Sequence, residues 1–246
     1  MEELIQDPLF TVELFRSTPN PQQAIYAAAH QDYSEGFVCH HLNEIPHENR
    51  AGDLVVKLLL NGNRGHYGCL EHPQIQFNVG YFPHSVMQQL RTHRVGISMD
   101  VQSMRFSGKR ILDVATGAMD IESVFYLRPS RYYTDRQGKK YLYSEDMRSE
   151  DLNQCRLAAI HYAKRINQGV SEEHARGLIP FDFRQHFFIS LNMRSLMHIL
   201  DLRAKSDAQI EIQTLCHHMM QYFHSWAPAI AEWYEEKRWG KARLSP

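Results

Sequence analysis

The stretch FRQHFFISLNMRSLMHILDLRAKSDAQIEIQ, residues 183–213, decides the fold because its pattern changes from that of a strand to that of a helix near Met193. The part before Met193 is rich in aromatic and β-branched side chains, which favour a strand. From Asn192 onward, apolar residues recur three and four positions apart, as on one face of an amphipathic helix. A strand that leads directly into such a helix predicts a sheet packed against helices.

Further strands and helices are predicted around this stretch. From Gln74 to Tyr81 apolar and polar residues partly alternate, which predicts a half-buried strand, and Pro83 then opens a helix. Two aromatic-rich runs flank a turn around Gln137 and Gly138, which predicts a hairpin. Helices are also predicted at 19–31, 49–62 and 145–167 and from about Asp207 onward. The sequence therefore predicts an α+β fold, with helices packed around an antiparallel sheet in a single domain of residues 1–246.

Composition and charge limit the classes of function. The 246 residues, 43% of them hydrophobic, are enough for one substantial core. Lys and Arg total 27 against 28 for Asp and Glu, so the net charge of -1 gives no general attraction to nucleic acid or to an anionic membrane. No run approaches the roughly 20 apolar residues of a membrane span. The four cysteines show no close pairing, which favours a cytoplasmic protein. From the net charge and the lengths of the apolar runs, we expect a protein that binds neither membrane nor nucleic acid.

The segment RTHRVGISMDVQSMR, residues 91–105, is dense in hydrogen-bond donors. It holds three arginines, one histidine and two serines, and fixed guanidinium groups are the usual ligands of phosphates and nucleobase carbonyls. If the helix that starts near Pro83 runs far enough, Arg91 and Arg94 project from one face, with Gln88 a turn earlier. The segment predicts a local anion site. The alternative is a solvated helix end whose cations favour the helix dipole.

A second group of donors lies on the helix that starts near Met193. Polar residues are interleaved there with leucines and isoleucines, so the apolar face can anchor the helix while donors emerge along its edge. These donors are Asn192, Arg194, His198 and Arg203. This pattern suits the wall of a buried cleft. The alternative is an ordinary amphipathic helix whose cations pair with Asp201 or Glu211, at about 0 to 1 kcal/mol per pair.

The first donor segment resembles the signature of the flavin-dependent thymidylate synthases. That signature is Arg-His-Arg followed by seven residues and Ser, with an Arg two residues later. The matching residues here are Arg91, His93, Arg94, Ser103 and Arg105. Thr92 separates the first arginine from the histidine, and eight residues rather than seven precede Ser103. Asp100 and Val101 stand where the family usually has Asn and Glu, so the role of that glutamate does not carry over.

Three further blocks carry the resemblance in the same order. Residues 192–212, NMRSLMHILDLRAKSDAQIEI, resemble a family block without any change of spacing. ARGLIP at 175–180 resembles a segment whose arginine contacts the nucleotide, which here is Arg176. HYGCLEH at 66–72 resembles a block whose histidine and glutamate lie near the flavin and the active site. The resemblance thus spans most of residues 66–213.

The resemblance implies reductive methylation of deoxyuridine monophosphate (dUMP) to thymidylate, with methylenetetrahydrofolate as carbon donor, NADPH as reductant and FAD as carrier. It also implies a homotetramer whose active sites lie where subunits meet, so that the arginines of one site come from different chains. No cysteine nucleophile is required by this chemistry.

The resemblance also assigns residues to ligands. The residues implied for dUMP are Gln88, Arg91, Ser103, Arg105, Arg176 and Arg203. The residues implied for FAD are His66, Glu71, Arg91, His93, Arg94, Asn192, Arg194 and His198. Arg203 is the predicted catalytic residue, because a guanidinium beside N3 and O2 of the pyrimidine stabilises the negative charge that builds there when C6 accepts hydride.

Other interpretations are less well supported by the sequence. Ser103 as a nucleophile lacks a GxSxG turn and an acid partner. The Cys39–His41 and Cys216–His218 groups lack the paired spacing of HExxH or CxxC, so no metal is predicted. A non-catalytic nucleotide- or RNA-binding protein that uses the Arg91 to Arg110 segment would need a broad basic face. A flavin reductase without methyl transfer would consume NADPH and make no thymidylate.

Overall fold

The computed structural model describes residues 4–62, 65–135 and 137–241. The strands are β1 (Thr11–Ser17), β2 (Gln74–Pro83), β3 (Ile97–Val101), β4 (Arg131–Thr134), β5 (Lys140–Tyr143) and β6 (Arg184–Asn192). The helices are α1 (Pro21–Gln31), α2 (Glu48–Val55), α3 (His84–Leu90), α4 (Met104–Ser107), α5 (Lys109–Thr116), α6 (Glu145–Asn167), α7 (Glu172–Ala175), α8 (Met193–Arg203), α9 (Ile210–Trp226) and α10 (Pro228–Lys237). Short 3-10 turns lie between several of them, and a π-helical turn (Val56–Leu60) extends α2.

The strands form one four-stranded sheet and one hairpin. The order in the larger sheet is β1-β2-β6-β3. Strands β3 and β6 run antiparallel, because Asn192 N–H donates to Gly96 O at 3.1 Å while Gln102 N–H donates to His186 O at 2.9 Å. In the hairpin, β4 pairs antiparallel with β5 from Arg131↔Tyr143 to Thr134↔Lys140. The predicted α+β class, the antiparallel sheet and the hairpin are confirmed.

The chain divides into two compact units. Unit 1 comprises 1–11, 79–92 and 99–188, and unit 2 comprises 12–78, 93–98 and 189–246. The boundary falls inside β1, β2, β3 and β6, and each unit is assembled from three separate segments of the chain. The single domain of residues 1–246 stays a prediction.

The core of unit 1 lies between α5 and α6. Buried apolar side chains from both helices meet Phe125 and Phe183, which are joined by an antiparallel bridge. Tyr162 on α6 is almost fully buried there. Arg184 at the start of β6 is buried as well, and its Nη2 donates to Asp7 Oδ2 at 2.7 Å, which supplies the charge partner that a buried guanidinium requires.

The core of unit 2 is built from α8, α9, α10, α1 and α2. Leu196 and Ile199, at the helical spacing seen in the sequence, are fully buried on α8. The first turn of α1 is held by Glu48 from α2, whose carboxylate accepts from Gln22 N–H at 3.0 Å and from Gln23 N–H at 2.8 Å. An acid at this place satisfies two N–H groups that have no partner inside the helix.

Several sequence-based boundaries are corrected by the structure. The N-terminal quarter was expected to be helical, but Thr11–Ser17 is a strand, in which Val12 is the one buried side chain. The signature segment was treated as a loop, yet Ile97–Val101 is the strand β3. The last predicted helix begins at Ile210 rather than Asp207, and it is followed by a separate helix that starts at Pro228, because proline cannot continue a helix. Within the described residues, no helix combines the length and the apolar character needed to cross a membrane.

Candidate functional site

In unit 2, contacts between three side chains link the two donor groups found in the sequence. Arg203, the last residue of α8, donates through Nε–H to His93 Nε2 at 3.1 Å. The other ring nitrogen of His93, Nδ1, lies 3.0 Å from His198 Nε2, and the two rings meet edge to face. Burial, followed by the charge of Arg203 and the neighbouring His198, lowers the pKa of His93 to about 4. Burial also lowers the pKa of His198.

The segment that carries His93 is pressed against the start of α8. Ser195 Oγ donates to Val95 O at 2.8 Å, and Asn192 Oδ1 caps α8 by accepting from Ser195 N–H at 2.8 Å. Gly96 has φ +65°, and a Cβ added there would lie 2.3 Å from both Asn192 Nδ2 and Ser195 Oγ. Only glycine fits this approach, so Gly96 fixes where the His93 segment lies.

Two more residues assigned to FAD meet beside α8. Arg194 Nη1 donates to Glu71 Oε1 at 2.6 Å, and both side chains are partly exposed. His66 precedes the 3-10 turn that carries Glu71 and is exposed, and Arg94 is exposed as well. Seven of the eight residues assigned to FAD thus lie in unit 2, and Arg91 lies in unit 1.

The carboxylate of Asp201 is held by Arg238 and Tyr234. Asp201 is buried, and its carboxylate accepts from Arg238 Nη2 at 2.6 Å and from Tyr234 OH at 2.9 Å. Burial raises the pKa of this carboxyl, while Arg238 and Tyr234 lower it. Arg194 pairs with Glu71 and Arg203 with His93, so both arginines of α8 have defined places away from Asp201.

In unit 1, one arginine assigned to dUMP pairs with a carboxylate, and a second adds positive charge near it. Arg105 on α4 pairs with Glu173 on α7, and Arg176, one turn further along, adds its charge to the same group. The hydrogen bond and charge of Arg105 come first in lowering the pKa of Glu173, with Arg176 adding to the effect. Glu173 was missed by the sequence reasoning, although the acidic run directly before Arg176 was a visible signal.

A second polar chain in unit 1 ends at Gln88. Gln88 Nε2 lies 2.7 Å from His84 Nε2, and His84 Nδ1 lies 3.2 Å from Gln185 Oε1. His84 and Gln185 were also missed by the sequence reasoning. Ser103 stands directly before α4, and its carbonyl accepts from Ser107 Oγ at 3.0 Å.

The expectation that Arg91 and Arg94 share a helix face is wrong. Helix α3 ends at Leu90, whose side chain is fully buried, and Arg91 is the first residue past it. Thr92 Oγ1 donates to Gln89 O at 2.7 Å and so occupies a carbonyl of the last helical turn. Arg91 and Arg94 are both exposed, and they belong to different units.

The donor set of unit 2 fits a flavin. FAD carries a pyrophosphate, and its reduced ring is anionic, so it requires cations together with donors of fixed orientation. Arg94 and Arg194 supply cations, and Asn192 is buried at the start of α8. The neutral rings of His93 and His198 add no charge to this set.

The cysteines and the Cys/His groups show no sign of a metal site. All four cysteines are free, and three of them are buried. Among the residues that the structure describes, no group of three or more His, Cys, Asp or Glu side chains is placed to hold a metal ion.

Comparison with known proteins gives one family. The family model "Thymidylate synthase complementing protein" matches residues 13–229. The flavin-dependent thymidylate synthase of Halobacterium salinarum is 31% identical over 251 residues, with 96% of this chain and 99% of the relative covered. The enzyme of the same name from Haloarcula marismortui is 32% identical over 248 residues, again with 96% and 99% covered.

Solved structures share the fold. The UMP/dUMP methylase PolB from Streptomyces cacaoi, bound with 5-Br dUMP, superposes with a TM-score of 0.76 at 21% identity, covering 99% of this chain and 100% of the other. The same methylase bound with 5-Br UMP gives 0.71 at 20% identity. At this level of identity the likeness establishes the architecture alone.

Proposed function

The chain belongs to the flavin-dependent thymidylate synthase family, and from this membership we propose that its two donor clusters bind dUMP and FAD for reductive methylation. The protein is an FAD-dependent methyltransferase that makes thymidylate from dUMP. What we add is the assignment of its side chains. The alternative of a non-catalytic nucleotide- or RNA-binding protein is not favoured.

The observation that carries the substrate site is the ion pair of Arg105 with Glu173, to which Arg176 adds a further positive charge. A carboxylate paired with a guanidinium beside a second cation occupies the kind of place that suits a phosphate dianion, which offers more acceptor oxygens and more charge. We therefore assign the phosphate of dUMP to Arg105 and Arg176. Ser103, Gln88 and Arg91 are further donors for the nucleotide in unit 1.

Arg203 is assigned to the pyrimidine ring. FAD, when bound, supplies the hydride, and the reaction then places negative charge on the pyrimidine ring and its carbonyls. A guanidinium that is already oriented stabilises this charge without reorganisation. Its bond to His93 keeps Arg203 in one orientation.

The remaining residues of unit 2 are assigned to FAD. They are His66, Glu71, Arg94, Asn192 and Arg194. The resemblance also implies Arg91, and it implies His93 and His198, whose rings bond each other, with His93 bonding Arg203 as well. We further propose methylenetetrahydrofolate as carbon donor, NADPH as reductant, a homotetramer with shared active sites, and a cytoplasmic location. The free state of all four cysteines supports the last point, since a reducing compartment keeps thiols unpaired.

Thermal unfolding with added ligands tests the proposal. A ligand at 100 times its dissociation constant stabilises the native state by about 2.7 kcal/mol, so FAD and dUMP should each raise the melting temperature. The double variant R105A/R176A should lose the shift caused by dUMP and keep the shift caused by FAD. As a control, Arg165→Ala removes an arginine of unit 1 that bonds Gln168 and should keep both shifts. Absence of any shift in the wild type, together with a colourless protein that takes up no FAD, would refute the proposal.

A further inference from the structure

The hydrogen bonds around His93 define which ring nitrogens carry protons. Arg203 Nε–H can only donate, so His93 Nε2 must be the acceptor in the 3.1 Å bond. His93 then carries its proton on Nδ1, which faces His198 Nε2 at 3.0 Å. His198 Nε2 must accept in turn, which places the proton of His198 on Nδ1. One direction of donation is therefore consistent with both bonds.

The charges and the backbone around these three side chains keep the rings of His93 and His198 neutral. A protonated His93 would point an N–H at the guanidinium of Arg203, and burial together with that positive charge lowers the pKa of His93. The carboxylate of Asp201, which bonds Tyr234 and Arg238, raises the pKa of His198, but burial outweighs this effect. His198 and Arg203 are both carried by α8, and the His93 segment is fixed to the start of that helix through Gly96.

A hydrogen bond at Nε restrains a guanidinium more than a bond at one terminal nitrogen does. The five N–H groups of arginine lie in one plane, so a partner at Nε limits rotation of that plane about the side chain. His93 is itself restrained only if its Nδ1–H has an acceptor. His198 is that acceptor.

We propose that His93 and His198 are positioning residues for Arg203, with His198 holding the ring of His93 in one orientation and His93 fixing the plane of the guanidinium. This inference rests on the assignment of Arg203 to the pyrimidine. It differs from a direct role in flavin binding, because a flavin ligand acts on FAD affinity whereas a positioning residue acts on turnover.

Ring nitrogen NMR tests the tautomer without any turnover. In protein labelled with 15N-histidine, with the His93 signals assigned by His93→Gln, His93 should be the Nδ1–H form in the wild type. The Nδ1–H proton should stay protected from exchange with water in His198→Asn, whose amide oxygen accepts the same bond, and should exchange rapidly in His198→Leu, which cannot accept. An Nε2–H form of His93 in the wild-type protein overturns the proposal, even if no His198 variant folds.

Kinetics test the consequence for Arg203. His198→Leu should lower kcat about tenfold or more while the KM for dUMP and the affinity for FAD stay within about twofold, and His198→Asn should restore most of kcat. The control His224→Leu removes a ring of unit 2 that pairs with Glu235 and should leave kcat unchanged. A loss of FAD affinity in His198→Leu with unchanged kcat at saturating FAD overturns the proposal in favour of a flavin ligand.

The two proposals fail differently. If the wild-type protein makes no thymidylate from dUMP, the proposed function fails, while the NMR experiment still decides the tautomer of His93.

Discussion

The imidazole of His93 is kept neutral by its surroundings. Burial contributes most, and the positive charge of Arg203 and the ring of His198 follow, so its pKa is about 4 in the folded protein against 6.5 for a free ring. The unfolded chain therefore binds a proton at a pH where the folded chain does not. Between these two pKa values, each step toward acid favours the unfolded state.

We expect the melting temperature to fall as the pH is lowered from about 6.5 toward 4, and to fall less steeply in His93→Gln. The variant lacks the ring whose pKa differs between the two states, so its share of the slope is lost. Other histidines with lowered pKa values maintain the remaining slope, namely His84, His186, His198, His217 and His218. Calorimetry of both proteins across this range is the measurement, and identical slopes would contradict the explanation.

A second prediction at the scale of residues concerns Asp201. Asp201→Ala should lower the free energy of unfolding by about 3 kcal/mol, because it leaves Arg238 and Tyr234 without the carboxylate they share. Urea unfolding measures the loss. Asp113→Ala removes a partly buried partner of the exposed Lys109 and should cost less than about 1 kcal/mol. Equal losses would show that the Asp201 pairing contributes little.

The donors of the site could be predicted from the sequence, but most of their pairings could not. Arg203, His93 and His198 were all singled out, because arginine and histidine interleaved with apolar residues form a recognisable pattern. The bond between Arg203 and His93 joins positions 110 residues apart, and the local periodicity of a helix or strand carries no information about contacts at that separation. Glu173 was missed for the same reason, since its importance comes from Arg105, 68 residues earlier.

At the scale of elements, the two strands that the sequence analysis missed, β3 and β1, differ in how visible they were in the sequence. Ile97, Met99 and Val101 are half-buried and alternate with exposed Ser98 and Asp100, so the period of a strand was present in the sequence. It was overlooked because the segment was interpreted through its arginines. Strand β1 was harder to predict, since it buries a single side chain and shows little alternation.

The tight approach of β3 to α8 gives an element-scale prediction. Gly96→Ala should lower the free energy of unfolding by roughly 1–3 kcal/mol, because alanine is strained at φ +65° and its Cβ would overlap Asn192 and Ser195. Gly117→Ala is the matched control, because Gly117 has φ +77° with nothing within 4 Å of an added Cβ. Chemical denaturation should show a clearly larger loss for Gly96→Ala, and equal losses would mean that the overlap relaxes without cost.

At the scale of the whole molecule, the proposed tetramer predicts complementation. If Arg91 and Arg203 of one active site come from different subunits, R91A and R203A chains refolded together in equal amounts should regain about a quarter of the wild-type sites. Each variant alone should be inactive. R91A mixed with the double variant R91A/R203A should regain none. Assays of thymidylate formation after mixing test this, and a mixture no more active than its parts would show that both arginines act within one chain.

The assembly of each unit from three separated segments also matters while the protein is being made. Unit 2 needs both 12–78 and 189–246, and the second of these leaves the ribosome last. Until it does, the nascent chain exposes the apolar side of α2 that α10 later covers. We therefore expect the half-made polypeptide to depend on a holding chaperone, and a premature stop codon after residue 188 to yield an aggregating fragment instead of a smaller working enzyme.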